Sequence, residues 1–140
     1  MAKLSEVLNI HYVIEDRAKL NGIIKWVSMM CPNANLNWFD ISKIDSLSYL
    51  FCSFGENFTG DISKWDVSNV KDMRGMFAHS KFNGDISNWN VSKVNNMNNM
   101  FYCCKKFNQD ISGWNVSNVT NVSNIFDDCP IKNKYKPKFK

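Results

Sequence analysis

The sequence predicts an α/β repeat solenoid of about four coils, each 24–26 residues long. Each coil is expected to pair a short parallel strand with a short helix, and a helical cap is expected at the N-terminal end. Three observations carry this. Trp65-Asp66-Val67-Ser68-Asn69-Val70 recurs as Trp89-Asn90-Val91-Ser92-Lys93-Val94 and as Trp114-Asn115-Val116-Ser117-Asn118-Val119, with a degenerate first copy at Phe39-Asp40-Ile41-Ser42-Lys43-Ile44. A second block, Phe58-Thr59-Gly60-Asp61-Ile62-Ser63, returns as Phe82-Asn83-Gly84-Asp85-Ile86-Ser87 and Phe107-Asn108-Gln109-Asp110-Ile111-Ser112. Every copy then carries one apolar stripe: Ile44, Leu47, Leu50, Phe51; Val70, Met73, Met76, Phe77; Val94, Met97, Met100, Phe101; and Val119, Val122, Ile125, Phe126. Self-similarity at a fixed period of this length is the mark of a repeat architecture.

The stripe offsets of 0, 3, 6 and 7 fit one face of a helix of two to three turns. Ser42, Ser68, Ser92 and Ser117 stand two residues before the stripes, where a hydroxyl accepts from an orphan helix N–H. Helices this short do not persist alone and need the neighbouring coil. The other half of each coil, apolar at Phe82, Ile86 and Trp89 among Asn, Gly, Asp and Ser, predicts a turn and then a short strand around Ile86 to Trp89. Strand on one side and helix on the other, at this length, is a leucine-rich-repeat-like plan.

The ends differ from the coils. Residues 1–35 predict a capping segment. Leu20, Ile23, Ile24, Val27 and Met30 mark an amphipathic helix from about Asp16, with Pro32 stopping it. Ile10 to Ile14 is expected to add a short strand. Residues 36–129 form the repeats, and 130–140 a basic tail in which Lys alternates with other residues. That alternation suits an edge strand with Tyr135 and Phe139 facing inward.

The phrase F-N-x-D-I-S-x-W-(D/N)-V-S-x-V-x-x-M-x-x-M-F resembles the BspA-like leucine-rich-repeat proteins, the mycoplasma surface-lipoprotein type of repeat. The resemblance spans Leu36 to Cys129. It implies a fold and a habit of binding rather than a ligand. Members are often bacterial surface proteins and adhesins, and small leaderless members, some carried by phages, look like intracellular versions. This chain lacks the leader and lipobox cysteine of the adhesin pattern and resembles a small leaderless member.

Composition narrows the function. The 140 residues are 44% hydrophobic and 21% charged, ordinary for one globular domain. No apolar run reaches 18 residues, and Met1 to Ile10 lacks a signal-peptide core, so a cytoplasmic location without membrane contact is expected; surface display requires a leader already removed. Cys31, Cys52, Cys103, Cys104 and Cys129 are odd in number and show no C-x-x-C spacing, so reduced, core-filling thiols are expected rather than disulfides or zinc. The net charge of +4 misleads. Removing Lys132, Lys134, Lys136, Lys138 and Lys140 from the 17 basic residues leaves 12 against 13 acidic ones.

No catalytic, metal or cofactor residues are assigned. His11 and His79 lie in unlike contexts, and no phosphate loop or H-E-x-x-H motif is present. Asp61, Asp85 and Asp110 are expected to accept turn N–H groups rather than hold calcium. Trp65, Trp89 and Trp114, like Met73, Met76, Met97 and Met100, are expected in the core. Positions that vary between copies are free to serve a partner: Lys71, Asp72 and Arg74, with the tyrosines Tyr49 and Tyr102. The expected function is a non-enzymatic protein–protein interaction module, monomeric, acting as a cytosolic inhibitor or adaptor on a larger host protein. A surface adhesin is the alternative, and contact with nucleic acid is confined to the lysine tail.

Overall fold

A computed structural model describes residues 11–52 and 55–140. It corrects the predicted fold class. The described residues hold one α-helix, α1 (Arg17–Met30), two short strands, β1 (Tyr12–Val13) and β2 (Phe39–Asp40), and a 3₁₀ turn at Asn133–Tyr135. Neither the four stripe helices nor the strands around Ile86 to Trp89 are present; those segments are successions of turns. An α/β leucine-rich-repeat-like solenoid is therefore not the architecture. No helix among the described residues is long and apolar enough to cross a membrane.

The backbone hydrogen bonds explain the correction. Met73, Gly75, Phe77 and His79, every second residue, donate their N–H groups to the carbonyls of Asn96, Asn98, Met100 and Tyr102 in the next copy, at 2.8–2.9 Å. Met76, Ala78 and Ser80 instead donate three residues back, to Met73, Gly75 and Phe77. The same alternation runs from Leu47, Tyr49 and Phe51 onto Asp72, Arg74 and Met76, and from Met97, Asn99, Phe101 and Cys103 onto Asn121, Ser123, Ile125 and Asp127. Parallel bridges join Ser46, Asp72, Asn96 and Asn121 in one line. Successive copies thus form a ladder of turns in which half of the donors are satisfied locally and half by the neighbour.

A left-handed residue at one repeat position rules out the helix. Gly75, Asn99 and Asn124 have φ of 59°, 56° and 54°, and Tyr49 takes the same position in the first copy with φ 56°. A right-handed helix cannot pass through such a residue, and glycine and asparagine tolerate it best. The serines thought to cap helices serve otherwise. Ser42, Ser68, Ser92 and Ser117 donate their N–H groups to the side chains of Asp40, Asp66, Asn90 and Asn115, two residues earlier, so these Asp and Asn residues close the turns.

The core lies between the ladder and the opposite turns. Phe51, Phe77, Phe101 and Phe126 stack face to face at 5.3, 5.5 and 5.7 Å. Phe58, Phe82 and Phe107 form a second column at 6.3 and 6.4 Å, and paired rings of the two columns lie 4.2–4.9 Å apart. Trp65, Trp89 and Trp114 are buried beside them as expected, and each indole N–H donates to a carbonyl one copy back, on Leu36, Ile62 and Ile86. The four stripe methionines are fully buried. Gly60 admits no side chain, because a Cβ there would collide with the Ala34 carbonyl.

The expected N-terminal helix is found. Asp16 accepts the Ala18 N–H as its N-cap, and Leu20, Ile24 and Val27 are buried; Met30, expected in that stripe, is exposed. β1 runs parallel to β2, pairing Tyr12 with Phe39 and Val13 with Asp40; Ile10 falls outside the described residues. Arg17 closes the ladder at this end. Its Nε and Nη2 donate at 2.8 and 2.5 Å to the carbonyls of Ser46 and Ser48, the positions that in later copies accept from the preceding copy. A planar guanidinium suits two acceptors held side by side.

At the other end the tail is a 3₁₀ turn rather than an edge strand. Tyr135 and Phe139 do turn inward, partly buried against the core, and the Tyr135 carbonyl accepts the Ile111 N–H at 3.0 Å. The cysteines are free thiols, but only Cys104 is buried; Cys31 is exposed and the other three are half-buried.

The turn assignment at the stripe predicts opposite signs from a helix. Asn124 is exposed, with φ 54°. Asn124→Ala is expected to lower stability by about 1 kcal/mol and Asn124→Gly to leave it unchanged or raise it, because alanine resists the left-handed region. In a helix alanine would be the better residue by about 1 kcal/mol. Denaturant unfolding of the two variants decides the order.

Candidate binding surfaces

An apolar opening lies where the sequence does not repeat. Pro32 ends α1 and the chain turns back, so that Ala34 to Phe39 runs beside the helix. Trp38 stacks on Phe39 at 4.1 Å and donates its indole N–H to the Asn35 carbonyl at 3.1 Å. Between this segment and α1 opens a cleft of about 660 Å³, lined by Ile23, Trp26, Val27, Leu36, Trp38 and Phe39. Lys19 supplies a charge at its wall and Cys31 an exposed thiol. Trp26 is 60% exposed, and Met29 and Met30, at 72% and 62%, extend the apolar surface along the helix. Large exposed apolar side chains grouped together mark a contact surface more often than a solvated one.

Residues of the expected partner face sit on the ladder. Tyr49 is 51% exposed, and its ring lies over Gly75, whose missing Cβ leaves the room. The Tyr49 N–H donates to the Arg74 carbonyl at 2.9 Å, and Lys71 is exposed nearby in the same copy as Arg74. Asp72 proves to be a turn former. One carboxylate oxygen accepts the Arg74 N–H at 3.0 Å and the other pairs with Arg74 Nε at 3.1 Å, while Asn96 and Asn121 make the same turn in later copies. Tyr102 stands apart, half-buried and edge-on to His79 at 5.3 Å. The structure thus gathers Tyr49, Lys71, Asp72 and Arg74 on adjacent copies and leaves Tyr102 in a separate contact.

The acidic row behaves as turn chemistry requires. Asp61, Asp85 and Asp110 each accept the N–H of the serine two residues on, at 2.9–3.0 Å, and the last two also accept its hydroxyl at 2.6–2.7 Å. Asp85, Ser87, Gln109, Asp110, Ser112 and Gly113 line a polar groove of about 460 Å³. Among the described residues no three His, Cys, Asp or Glu side chains converge as a metal site would need. Burial pushes the Cys104 thiol up to about 12, so it stays protonated and fills space beside Ser80.

A family described as "Mycoplasma protein of unknown function, DUF285" matches residues 18–139. The chain belongs to this family. No curated protein and no solved structure matches it. The family match is wider than the repeats, Leu36 to Cys129, on which the sequence resemblance rests. It takes in α1 from its second residue and the tail to Phe139, so the cleft is built of family residues throughout. Sequence reasoning missed the cleft because it sought binding residues among variable repeat positions. The available signal was Trp26, a large apolar residue outside the helical stripe of Leu20, Ile24 and Val27.

The turn carboxylates set an acid limit on stability. Ser42 and Ser87, through hydroxyl and backbone N–H, hold Asp40 and Asp85 below the usual carboxylate range, and Ser112 does so for Asp110. At Asp61 burial pushes upward, but the Ser63 N–H and hydroxyl and the Asn37 side chain outweigh it, and the net direction is down. A folded pKa below the unfolded value of about 3.9 contributes stability that is present above that value and lost as pH falls through the folded one. Stability is therefore expected to fall as pH drops below about 4. Asp85→Asn should flatten that fall with little loss at neutral pH, because Asn90 and Asn115 already close equivalent turns. Denaturant midpoints measured across the acid range test both statements.

Proposed function

We propose that the chain is a non-enzymatic protein-binding module of the BspA-like repeat type, and that its main docking site is the cleft between α1 and the first copy. The observation that carries this reading is the cleft's lining, two tryptophans and four further apolar side chains, continuous with exposed Trp26, Met29 and Met30. The occupant this lining favours is a partner segment with at least one large apolar side chain, set down beside the cationic Lys19. Rigid aromatic anchors in a preformed pocket supply affinity at low entropic cost. The face of Tyr49, Lys71 and Arg74 serves as a second contact, since its side chains are exposed at the neighbouring copies. An inhibitor or adaptor acting on a larger cytosolic protein fits a module with one compact anchor site. An adhesin would use the same surfaces outside the cell.

Quantitative capture from the source cell, identified by mass spectrometry and repeated with the purified partner, tests the reading. Trp26→Ala is expected to weaken the partner by tenfold or more, while melting stays within about 2 °C of wild type because the indole is largely exposed. Tyr49→Ala with Arg74→Ala should cost less. If Trp26→Ala binds as wild type and the Tyr49 and Arg74 pair abolishes binding, the ladder face is the main site. If only replacing the tail lysines with glutamine abolishes capture, and what is captured is nucleic acid, the reading fails.

A further inference from the structure

The two ends of the ladder are not treated alike. At the first copy the carbonyls of Ser46 and Ser48 have no preceding copy to donate to them, and Arg17 supplies the missing donors. At the last copy the N–H groups of Val122, Asn124, Phe126 and Asp128 occupy the positions from which Met97, Asn99, Phe101 and Cys103 donate onward. Among the described residues none of these four donates to a carbonyl or a side chain, whereas Ile125, Asp127 and Cys129 between them donate three residues back. Asn124 and Asp128 are exposed and Val122 and Phe126 half-exposed, so the row faces outward. The Phe126 ring, last of its column, carries the Lys136 ammonium 5.3 Å from its centroid where earlier rings carry another phenylalanine.

We propose that this edge, the N–H groups of Val122, Asn124, Phe126 and Asp128 with the Phe126 ring, is a second docking site that takes an extended segment of a partner protein as one more rung of the ladder. A row of donors requires acceptors at every second residue, and an extended backbone offers them. The internal copies define the occupant further: its carbonyls fall two residues apart, it passes through a left-handed residue between them, and it lays an apolar or aromatic side chain on Phe126 in place of the Lys136 ammonium. A second copy of this chain is a poor occupant. Two carbonyls of its matching row, Ser46 and Ser48, are already held by Arg17, and its own far edge offers only donors, which cannot pair with donors. The site stands independently of the cleft, on the opposite end of the ladder.

Amide exchange and chemical shifts on the isotope-labelled full chain test this. The probe is the capped peptide Lys-Asp-Met-Arg-Gly-Met-Phe-Ala, the chain's own residues 71–78, whose carbonyls already serve Leu47, Tyr49 and Phe51. In the free chain the Val122, Asn124 and Phe126 amides should exchange roughly 100-fold faster than those of Met97, Asn99 and Phe101. At about 1 mM peptide, suited to a weak short segment, their exchange should slow tenfold or more, with shifts confined to residues 122–128 and to Lys136, which leaves the Phe126 ring. The same peptide carrying Gly75→Pro, unable to adopt φ of +59°, should do neither. Equal protection of both rows in the free chain overturns the proposal, as do shifts absent at this edge or equal effects from the two peptides. Protection that rises with the concentration of the chain alone would assign the edge to a second copy and overturn it as well.

Discussion

The structure depends on how a backbone that is neither helix nor sheet satisfies its own polar groups. A buried N–H or C=O left unpaired costs about as much as the folded state can spare. Here the stripe segment of each copy but the last hands every second donor to the next copy and closes the others three residues back. No copy is complete alone, since half of its bonds belong to a neighbour. The repeat length follows, because donor and acceptor stay in line only if each copy returns the chain to the same position. The bridged line of Ser46, Asp72, Asn96 and Asn121 holds that register through spacings of 26, 24 and 25 residues. The copies differ in length between the two phenylalanine columns: Phe51 and Phe58 lie seven positions apart, Phe77 and Phe82 five, and Phe101 and Phe107 six.

Packing reinforces the same register. Two phenylalanine columns run the length of the array, and rings of one copy meet rings of the next nearly parallel, with interplanar angles of 6–15° along the first column. Offset stacking of this kind adds about 0.5–1.5 kcal/mol per pair to the burial itself. The tryptophans tie side-chain packing to the backbone, because each indole is buried only where it also reaches a carbonyl one copy back. A slip by one residue would break the ladder, the columns and the indole bonds together. The constancy of Phe, Trp and the Asp or Asn turn formers among the copies therefore has a single cause.

That common cause explains what could be read from the sequence. Register, core membership of Trp65, Trp89, Trp114 and the stripe methionines, the turn role of Asp61, Asp85 and Asp110, and the helix begun at Asp16 all follow from local chemistry repeated in step. Helix and turn could not be separated by the stripe, because successive three-residue turns place apolar side chains at offsets 0, 3, 6 and 7 as well as a helix does. The deciding signal was Gly75, Asn99 and Asn124 at one repeat position, three residues suited to a left-handed backbone. Tyr49 in the first copy obscured it. A bulky residue there is costly, and the space over Gly75 that receives its ring is visible only after folding. The cleft was hidden for a related reason: Trp26, Trp38 and Phe39 come together only when α1 lies against the first copy, a contact between a non-repeating segment and a degenerate one.

Repeating and non-repeating parts of the chain are thus divided by the same constraint. Interior copies must offer each neighbour an identical surface, so their conserved positions are used up by the fold, and even Asp72, which differs in type from Asn96 and Asn121, does the same work as they do. The ends are released from that duty because each lacks a neighbour on one side. At the N-terminal end Arg17 answers the carbonyls of Ser46 and Ser48, and the outer face of the same helix carries Trp26, Met29 and Met30. The array therefore has a polarity: at one end Arg17 reaches the carbonyls of Ser46 and Ser48, and at the other the N–H groups of Val122, Asn124, Phe126 and Asp128 donate to no other described residue. Head-to-tail growth, the hazard of any repeated edge, needs both to be free at once. One arginine thus answers two carbonyls that no neighbouring copy reaches, and the helix that carries it lies outside the repeat.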